Sequence, residues 1–365
     1  MEIPWTSLSI TPLFSGLSKH EGDGEGLGVR SDEGAKEMVD ATVSPRASDM
    51  QRIETANAPA ALFINMHARR GGKQFDRAVE ALKKAGVALG RTVAVDDPQT
   101  LLPAIQKAIA AGFQTIIVGG GDGTLSGAME AFANQPVTLG VLPLGTGNDL
   151  ARTLGIPLDL DGSARVIAAG QVARIDLGCA NGRYFINTLS MGVSDDVARA
   201  ATRRLKRTLG FFAYGIAALR VLPRHHHFRA HIEAIEKVCD VATHQLVVAN
   251  GTYVGEHIKA GPDASITDGR LVVFTLEGRS RYQLIRGAWS VLLGRQATDP
   301  KNNYFETTRL TIRTEPSQPL TLDGEHGGDT PVEITISPRA LRVFVPLPPQ
   351  RERRAIAVLR RGRAR

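Results

Sequence analysis

Residues 116–126 read I-I-V-G-G-G-D-G-T-L-S, and the fold turns on them. Ile116, Ile117 and Val118 make a short apolar run of the kind buried in a parallel sheet. Gly119, Gly120 and Gly121 follow at once, then Asp122, Gly123 and Thr124, and a helical pattern runs over 125–132. Strand, glycine loop and helix is the arrangement that turns main-chain N–H groups toward an anion. Glycine lets the main chain come close to phosphate oxygens because no Cβ intervenes, and a helix N-terminus adds partial positive charge. Asp122 is the odd member. A carboxylate beside a polyphosphate is repelled unless a cation or a proton donor mediates, so its expected place is a metal–water network, not the phosphate itself. For a glycine loop standing alone, a plain tight turn is the competing reading.

A second loop strengthens the first. Residues 139–144 are apolar and include Pro143; Gly145, Thr146, Gly147, Asn148 and Asp149 follow, then helical spacing over 150–154. Asn148 or Asp149 suits the helix N-cap. Two such loops at the carboxyl ends of neighbouring parallel strands line one crevice. Upstream, residues 60–65 (A-A-L-F-I-N) read as the first core strand, 65–72 as a loop, 73–85 as a helix, 92–95 as a strand and 101–111 as a helix; 160–169 is a further helix. Strands alternating with helices imply a parallel sheet with right-handed crossovers.

After Gln171 the pattern changes. Residues 172–180 and 183–191 are strand-like and joined by Asn181-Gly182, a hairpin signal. Residues 192–222 read as mostly helical, with a basic cluster at Arg203, Arg204, Lys206 and Arg207. In Arg224-His225-His226-His227, neighbouring histidines on a strand would face opposite sides and no carboxylate is close by, so a solvated loop is expected rather than a metal site. Strands follow at 228–236, 245–250, 271–276, 309–314 and 332–336, with one amphipathic helix at 281–293. The second part is therefore mainly β, as in a sandwich.

Composition bounds the class. The 365 residues suffice for two domains with real cores, and 42% hydrophobic with 22% charged residues is ordinary for a water-exposed globular chain. Cys179 and Cys239 lie far apart and lack metal-ligand spacing, which suits a reducing compartment without disulfides. Residues 1–20 lack the basic start and unbroken apolar run of a signal peptide. The most apolar stretch, 211–222, is interrupted by Arg220 and too short to span a bilayer. The net charge of +7 is uneven: residues 1–58 hold 10 acids against 5 bases, whereas 351–365 hold 7 Arg and 1 Glu. The tail lacks interleaved aromatics, so an acidic membrane surface is a better partner for it than nucleic acid. Residues 1–58, rich in Gly, Ser and acids, read as disordered.

G-G-G-D-G-T at 119–124 paired with P-L-G-T-G-N-D at 143–149 resembles the diacylglycerol kinase catalytic domain family, which includes bacterial lipid kinases, sphingosine kinases and ceramide kinases. The resemblance runs from Ala60 to Val345. It implies α/β plus β: an N-terminal Rossmann-like parallel α/β domain at 59–171 and a mainly β sandwich at 172–337, with the nucleotide in the interdomain cleft. A disordered extension (1–58) precedes these; a last strand within 338–350 returns to the first domain, and a basic tail (351–365) follows. Nucleotide contacts are implied at Asn65, Gly120, Gly121, Asp122, Gly123, Thr124, Leu125, Ser126, Thr146 and Asn148. The family's first loop reads roughly N-P-x-S/A-G; Asn65, Ala68 and Gly71 fit, and Met66 stands where the proline would be. Arg69 and Arg70 are either phosphate contacts or solvated surface residues.

Two stretches of the second part join the resemblance. In G-P-D-A-S-I-T-D-G-R-L-V-V at 261–273, it implies Mg²⁺ held by the Asp268 carboxylate with main-chain carbonyls of Ser265 and Arg270, a donor set of the hard oxygens Mg²⁺ prefers; by itself Asp-Gly is an ordinary turn. Leu322 to Glu325 reads L-D-G-E. Two carboxylates flanking a glycine can face one cleft, one accepting a proton while the other holds position or metal. Glu325, with Asp323 and Asp122, is the implied catalytic set. The implied activity is transfer of the γ-phosphoryl group of ATP, with Mg²⁺, to a lipid hydroxyl: diacylglycerol, phosphatidylglycerol or a sphingoid base. Phe211, Phe212 and Tyr214 are candidates for an acyl-chain slot, with core packing the plainer reading. The implied setting is cytoplasmic and peripheral, on the inner face of an anionic membrane, without nucleic acid, and a homodimer is compatible with it. Alternatives are an NAD kinase-like phosphotransferase, which also carries G-G-D-G-T, and a catalytically silent lipid-binding regulatory protein.

Overall fold

The structure, a computed structural model, describes residues 50–52, 58–68, 71–193, 227–251, 265–277 and 303–347. Outside these lie the basic cluster at 203–207, the aromatics at 211–214, His225 and His226, the helix at 281–293, Arg69, Arg70, nearly all of the N-terminal extension and the tail.

β1 (Met50–Arg52) lies within the stretch expected to be disordered and instead pairs antiparallel with residues 171–173; from there the first half alternates as the sequence pattern requires: β2 (Ala60–Asn65), α1 (Gly71–Lys84), β3 (Leu89–Val95), α2 (Leu101–Ala110), β4 (Thr115–Gly120), α3 (Asp122–Ser126), β5 (Thr138–Pro143), α4 (Asp149–Thr153) and α5 (Leu160–Ala169). β3, β2, β4 and β5 lie side by side and all pair in parallel. The side chains of β2, β4 and β5 are buried on both faces, which explains their unbroken apolar runs, whereas the edge strand β3 is largely exposed. Phe63, Ile116, Val118 and Val141 pack with Ile105 and Ala108 of α2 on one face. Leu62, Ile64, Ile117 and Leu142 pack with Leu82 of α1 and Ile167 of α5 on the other. Each such buried aliphatic side chain contributes about 1.5–3 kcal/mol of transfer free energy.

One expected helix is shorter. Over 125–132, α3 ends at Ser126, Gly127 caps it, and a single 3₁₀ turn covers Met129–Ala131. Leu125, Ala128, Met129 and Phe132 are still buried, so the apolar spacing is used by two short turns that Gly127 separates.

The second half is antiparallel: β6 (Gln171–Ala180), β7 (Arg183–Phe185), β8 (Thr188–Gly192), β9 (Phe228–Ala234), β10 (Val238–Ala249), β11 (Leu271–Glu277), β12 (Tyr304–Thr307), β13 (Arg309–Glu315), β14 (Pro319–Leu322), β15 (Glu325–Asp329) and β16 (Val332–Phe344). The hairpin at Asn181-Gly182 has both residues at positive φ, 47° and 85°. The expected strand 183–191 is broken into β7 and β8 at Ile186 and Asn187. β13, β9, β10, β8, β14 and β15 neighbour one another in that order, and Phe185, Phe228, Ile232, Leu246 and Ile312 fill their inner face. β16 joins the halves: it pairs antiparallel with β13 and β6, while Arg342 and Val343 stand parallel to Thr138 and Leu139 of β5. No helix among the described residues is long and apolar enough to cross a membrane.

Candidate functional site

The two glycine loops leave the ends of neighbouring strands β4 and β5 and touch through their main chains. A Cβ on Gly145 would lie 2.4 Å from Gly121 Cα, and one on Gly120 would lie 2.5 Å from Thr124 Cβ, so both positions require glycine. Asn65, at the end of β2, donates from Nδ2 to Thr124 Oγ1 (2.9 Å), and its Oδ1 accepts the His67 N–H (2.9 Å). The first strand end is thereby tied to the first glycine loop.

Asp122 fastens the second loop to the first. Its Oδ2 accepts the Asn148 N–H and its Oδ1 the Asp149 N–H, both at 2.7 Å. Each oxygen of this carboxylate, which the sequence leads one to expect in a metal–water network, thus meets one main-chain donor and keeps a further lone pair. Asn148, buried and at φ 55°, closes its own loop by accepting the Gly145 N–H at Oδ1 (2.9 Å) and donating to the Gly145 carbonyl (3.2 Å). Leu125 packs in the core, so only its main chain could meet a ligand. Thr146 is exposed, and Arg152 donates from Nε to the Gly147 carbonyl (2.9 Å).

D-G-E comes to the same place from the second half. A Cβ built on Gly123 would stand 2.9 Å from Glu325 Oε1, so the glutamate lies against the start of α3. The turn that presents it has Asp323 and Gly324 at positive φ, 47° and 89°. The two carboxylates of D-G-E are not equivalent. Asp323 Oδ2 accepts the Ile186 N–H (2.6 Å), and Oδ1 accepts the N–H groups of Asn187 (2.8 Å) and Thr188 (3.0 Å). The Asp323 residue as a whole is half-buried, but its carboxyl is the enclosed end. Burial pushes the Asp323 carboxyl above its usual range, the three amides pull it back, and the charge of Asp122 adds to the rise. Glu325 is exposed, and its carboxylate has no hydrogen-bond partner among the described residues.

Ser265, Asp268 and Arg270 lie in one turn before β11. Asp268 Oδ2 accepts the Ser265 N–H (2.8 Å) and Oδ1 the Arg270 N–H (2.9 Å). Each oxygen keeps a further lone pair, and one half-exposed carboxylate with neighbouring carbonyls fits the oxygen donors of Mg²⁺. Among the described residues no three His, Cys, Asp or Glu side chains gather closely enough to hold a metal by themselves. His227 packs edge-on against His244 (6.0 Å).

Two buried residues escaped sequence reading. Asp176, in β6, accepts the N–H groups of Gly269 and Arg339 (2.7 Å each). Asn250, at the end of β10, donates to the carbonyls of Asp176 (2.9 Å) and Ile186 (2.7 Å). The signal available was an acid inside the apolar run I-D-L and an Asn-Gly closing the buried run V-V-A.

Comparisons with known proteins give the family and the fold. A family model described as the diacylglycerol kinase catalytic domain matches residues 59–180, and one described as the YegS C-terminal NAD kinase beta sandwich-like domain matches 187–345. The chain is 33% identical to a diacylglycerol kinase of Bacillus subtilis (strain 168), over 67% of this chain and 81% of that one. It is also 33% identical to a protein of Pseudomonas aeruginosa (strain UCBPP-PA14) named for YegS-like lipid kinases, over 78% of this chain and 94% of that one. A crystal structure from Bacillus anthracis str. Sterne, described as a diacylglycerol kinase, has the same fold, with a TM-score of 0.70 over 80% of this chain and 97% of that one at 23% identity.

Proposed function

We infer, for a chain that belongs to the diacylglycerol kinase family of lipid kinases, that this crevice transfers the γ-phosphoryl group of ATP to a lipid hydroxyl, with diacylglycerol the first candidate acceptor. The observation that carries the reading is the placement of Glu325 Oε1 against Gly123, a carboxylate from one half on the glycine loop of the other. The polyphosphate would lie along residues 120–126 and beside Thr146. Thr124 Oγ1 already accepts from Asn65, which leaves its own proton for a phosphate oxygen. Asp122 keeps the two loops in register.

Glu325 is the base. The lipid hydroxyl gives its proton to the carboxylate as its oxygen bonds to the γ-phosphorus, and the bond to the bridging oxygen of ADP breaks. Asp323, with its oxygens held by three amides, sets the turn that aims Glu325. Positioning supplies much of the rate in phosphoryl transfer. A divalent cation, when bound, supplies neutralisation of charge on the transferred group. Asp268 with the carbonyls of Ser265 and Arg270 would hold a Mg²⁺ in the second half, supporting its shape. The arginine-rich residues 351–365 suit an anionic bilayer presenting the acceptor.

The experiment is phosphate transfer from γ-³²P-labelled ATP to a panel in anionic vesicles: diacylglycerol, phosphatidylglycerol, a sphingoid base and ceramide, with NAD as the soluble control. Label in a lipid product supports the reading. Label on NAD alone, or nucleotide binding without transfer to any acceptor, overturns it.

A further inference from the structure

Residues 186 and 187 interrupt the strand that would have run from β7 into β8, and the main-chain N–H and C=O groups of 186–188 are all met by two residues, Asp323 and Asn250. The N–H groups of Ile186, Asn187 and Thr188 go to the Asp323 carboxylate. The Thr188 carbonyl accepts the Asp323 N–H (2.9 Å). The other two carbonyls belong to Asn250: Ile186 accepts from its side-chain Nδ2 (2.7 Å), Asn187 from its main-chain N–H (2.7 Å). Where the chain leaves the ladder, at buried Ile186 and half-buried Asn187, its polar groups must be met some other way. Here the supply comes from the base-bearing turn on one side and from Asn250 on the other.

Asn250 is 1% exposed, and its amide orientation is fixed by its neighbours, since Nδ2 faces two carbonyl oxygens. That orientation leaves Oδ1 buried with no partner among the described residues. An unsatisfied buried acceptor costs stability. The residue therefore carries a penalty in order to aim two donors at the carbonyls of Ile186 and Asp176, and an apolar residue of like volume would supply neither.

We propose that Asn250 is a positioning residue for phosphoryl transfer, clamping residues 186–188 so that their amides hold Asp323, and through it the turn that presents Glu325. This rests on Glu325 being the base. Asn250 touches no reactant; its effect passes through a main-chain segment. The glycine loops are not part of the clamp, so nucleotide binding is independent of it.

The test uses the full chain with the Asn250→Ala and Asn250→Ser substitutions; the second keeps one donor and serves if the first does not fold. Hydrogen exchange should show the amides of Ile186, Asn187 and Thr188 losing protection. The turnover number per nucleotide-binding site should fall about 10-fold to 100-fold in Asn250→Ala, and less in Asn250→Ser, while KM for ATP stays at the wild-type value. A purely structural role would lower the folded fraction but leave turnover per binding site intact, and that result overturns the proposal. So does unchanged exchange at residues 186–188. Glu325→Gln is measured alongside. If it keeps wild-type turnover, the assignment of the base fails and takes the clamp's catalytic role with it. If it loses turnover while Asn250→Ala does not, the clamp alone fails.

Discussion

Glu325 Oε1 stands 2.9 Å from where a Cβ on Gly123 would sit, close enough that any side chain at 123 must displace the carboxylate. The two residues come from opposite halves of the molecule, brought together by β16 pairing with strands of both. Glycine at 123 is therefore a matter of space for the base, not of backbone conformation.

Gly123→Ala separates these two. Alanine in a helix is favoured over glycine by about 1 kcal/mol, so the melting temperature should hold or rise. Displacement of Glu325 should nonetheless lower turnover about tenfold or more. Equal turnover in the variant would mean that the carboxylate position seen here is not the working one.

Gly145→Ala meets main chain instead of a flexible side-chain end, because its Cβ would lie 2.4 Å from Gly121 Cα. The loops must part, at a cost of about 1–3 kcal/mol. Denaturant unfolding should show the loss, and titration with ATP should show weaker binding. Wild-type ATP affinity would separate the second loop from the nucleotide.

The Asp323 carboxyl has its pKa raised on folding, chiefly by burial. It binds its proton more tightly in the folded chain than in the unfolded one. Its favourable contribution is complete below the unfolded value, about 4, and is lost as pH rises through the raised folded value. Asp323→Asn cannot ionise, and it turns an NH₂ toward an amide donor, which costs about 1–3 kcal/mol. Unfolding free energies of wild type and variant, measured as pH rises across this window, should converge. A constant gap would show that Asp323 does not titrate there.

Asp268→Ala removes the acceptor of the Ser265 and Arg270 amides and the sole side-chain oxygen donor assigned to Mg²⁺ in that turn. Thermal unfolding with and without Mg²⁺ should show the wild-type gain in melting temperature shrinking in the variant. A full Mg²⁺-dependent gain would place the ion elsewhere.

What was legible in the sequence was local. The strand–glycine–helix units at 119–124 and 143–149 could be read because glycine and apolar runs declare themselves within a few residues. Boundaries that depend on distant partners could not. The alternation of F-I-N-T-L-S-M continues straight through Ile186 and Asn187, yet the chain leaves the ladder there because Asp323, far along the sequence, takes the amides. For the same reason the two acids of D-G-E look alike in sequence and differ in the structure, one enclosed by amides and one open. Asp122 reads from its company as part of a metal–water network; its bonds to Asn148 and Asp149 are a property of two loops meeting and are not written in the local sequence.

Glu325→Gln tests the central claim most directly. Glutamine keeps the shape and hydrogen-bonding reach of glutamate but cannot accept the proton of the lipid hydroxyl. A positioned base contributes about 10²–10⁴-fold, so turnover in vesicles of the accepted lipid should fall by that factor with ATP affinity unchanged. Turnover within a few-fold of wild type would contradict the account.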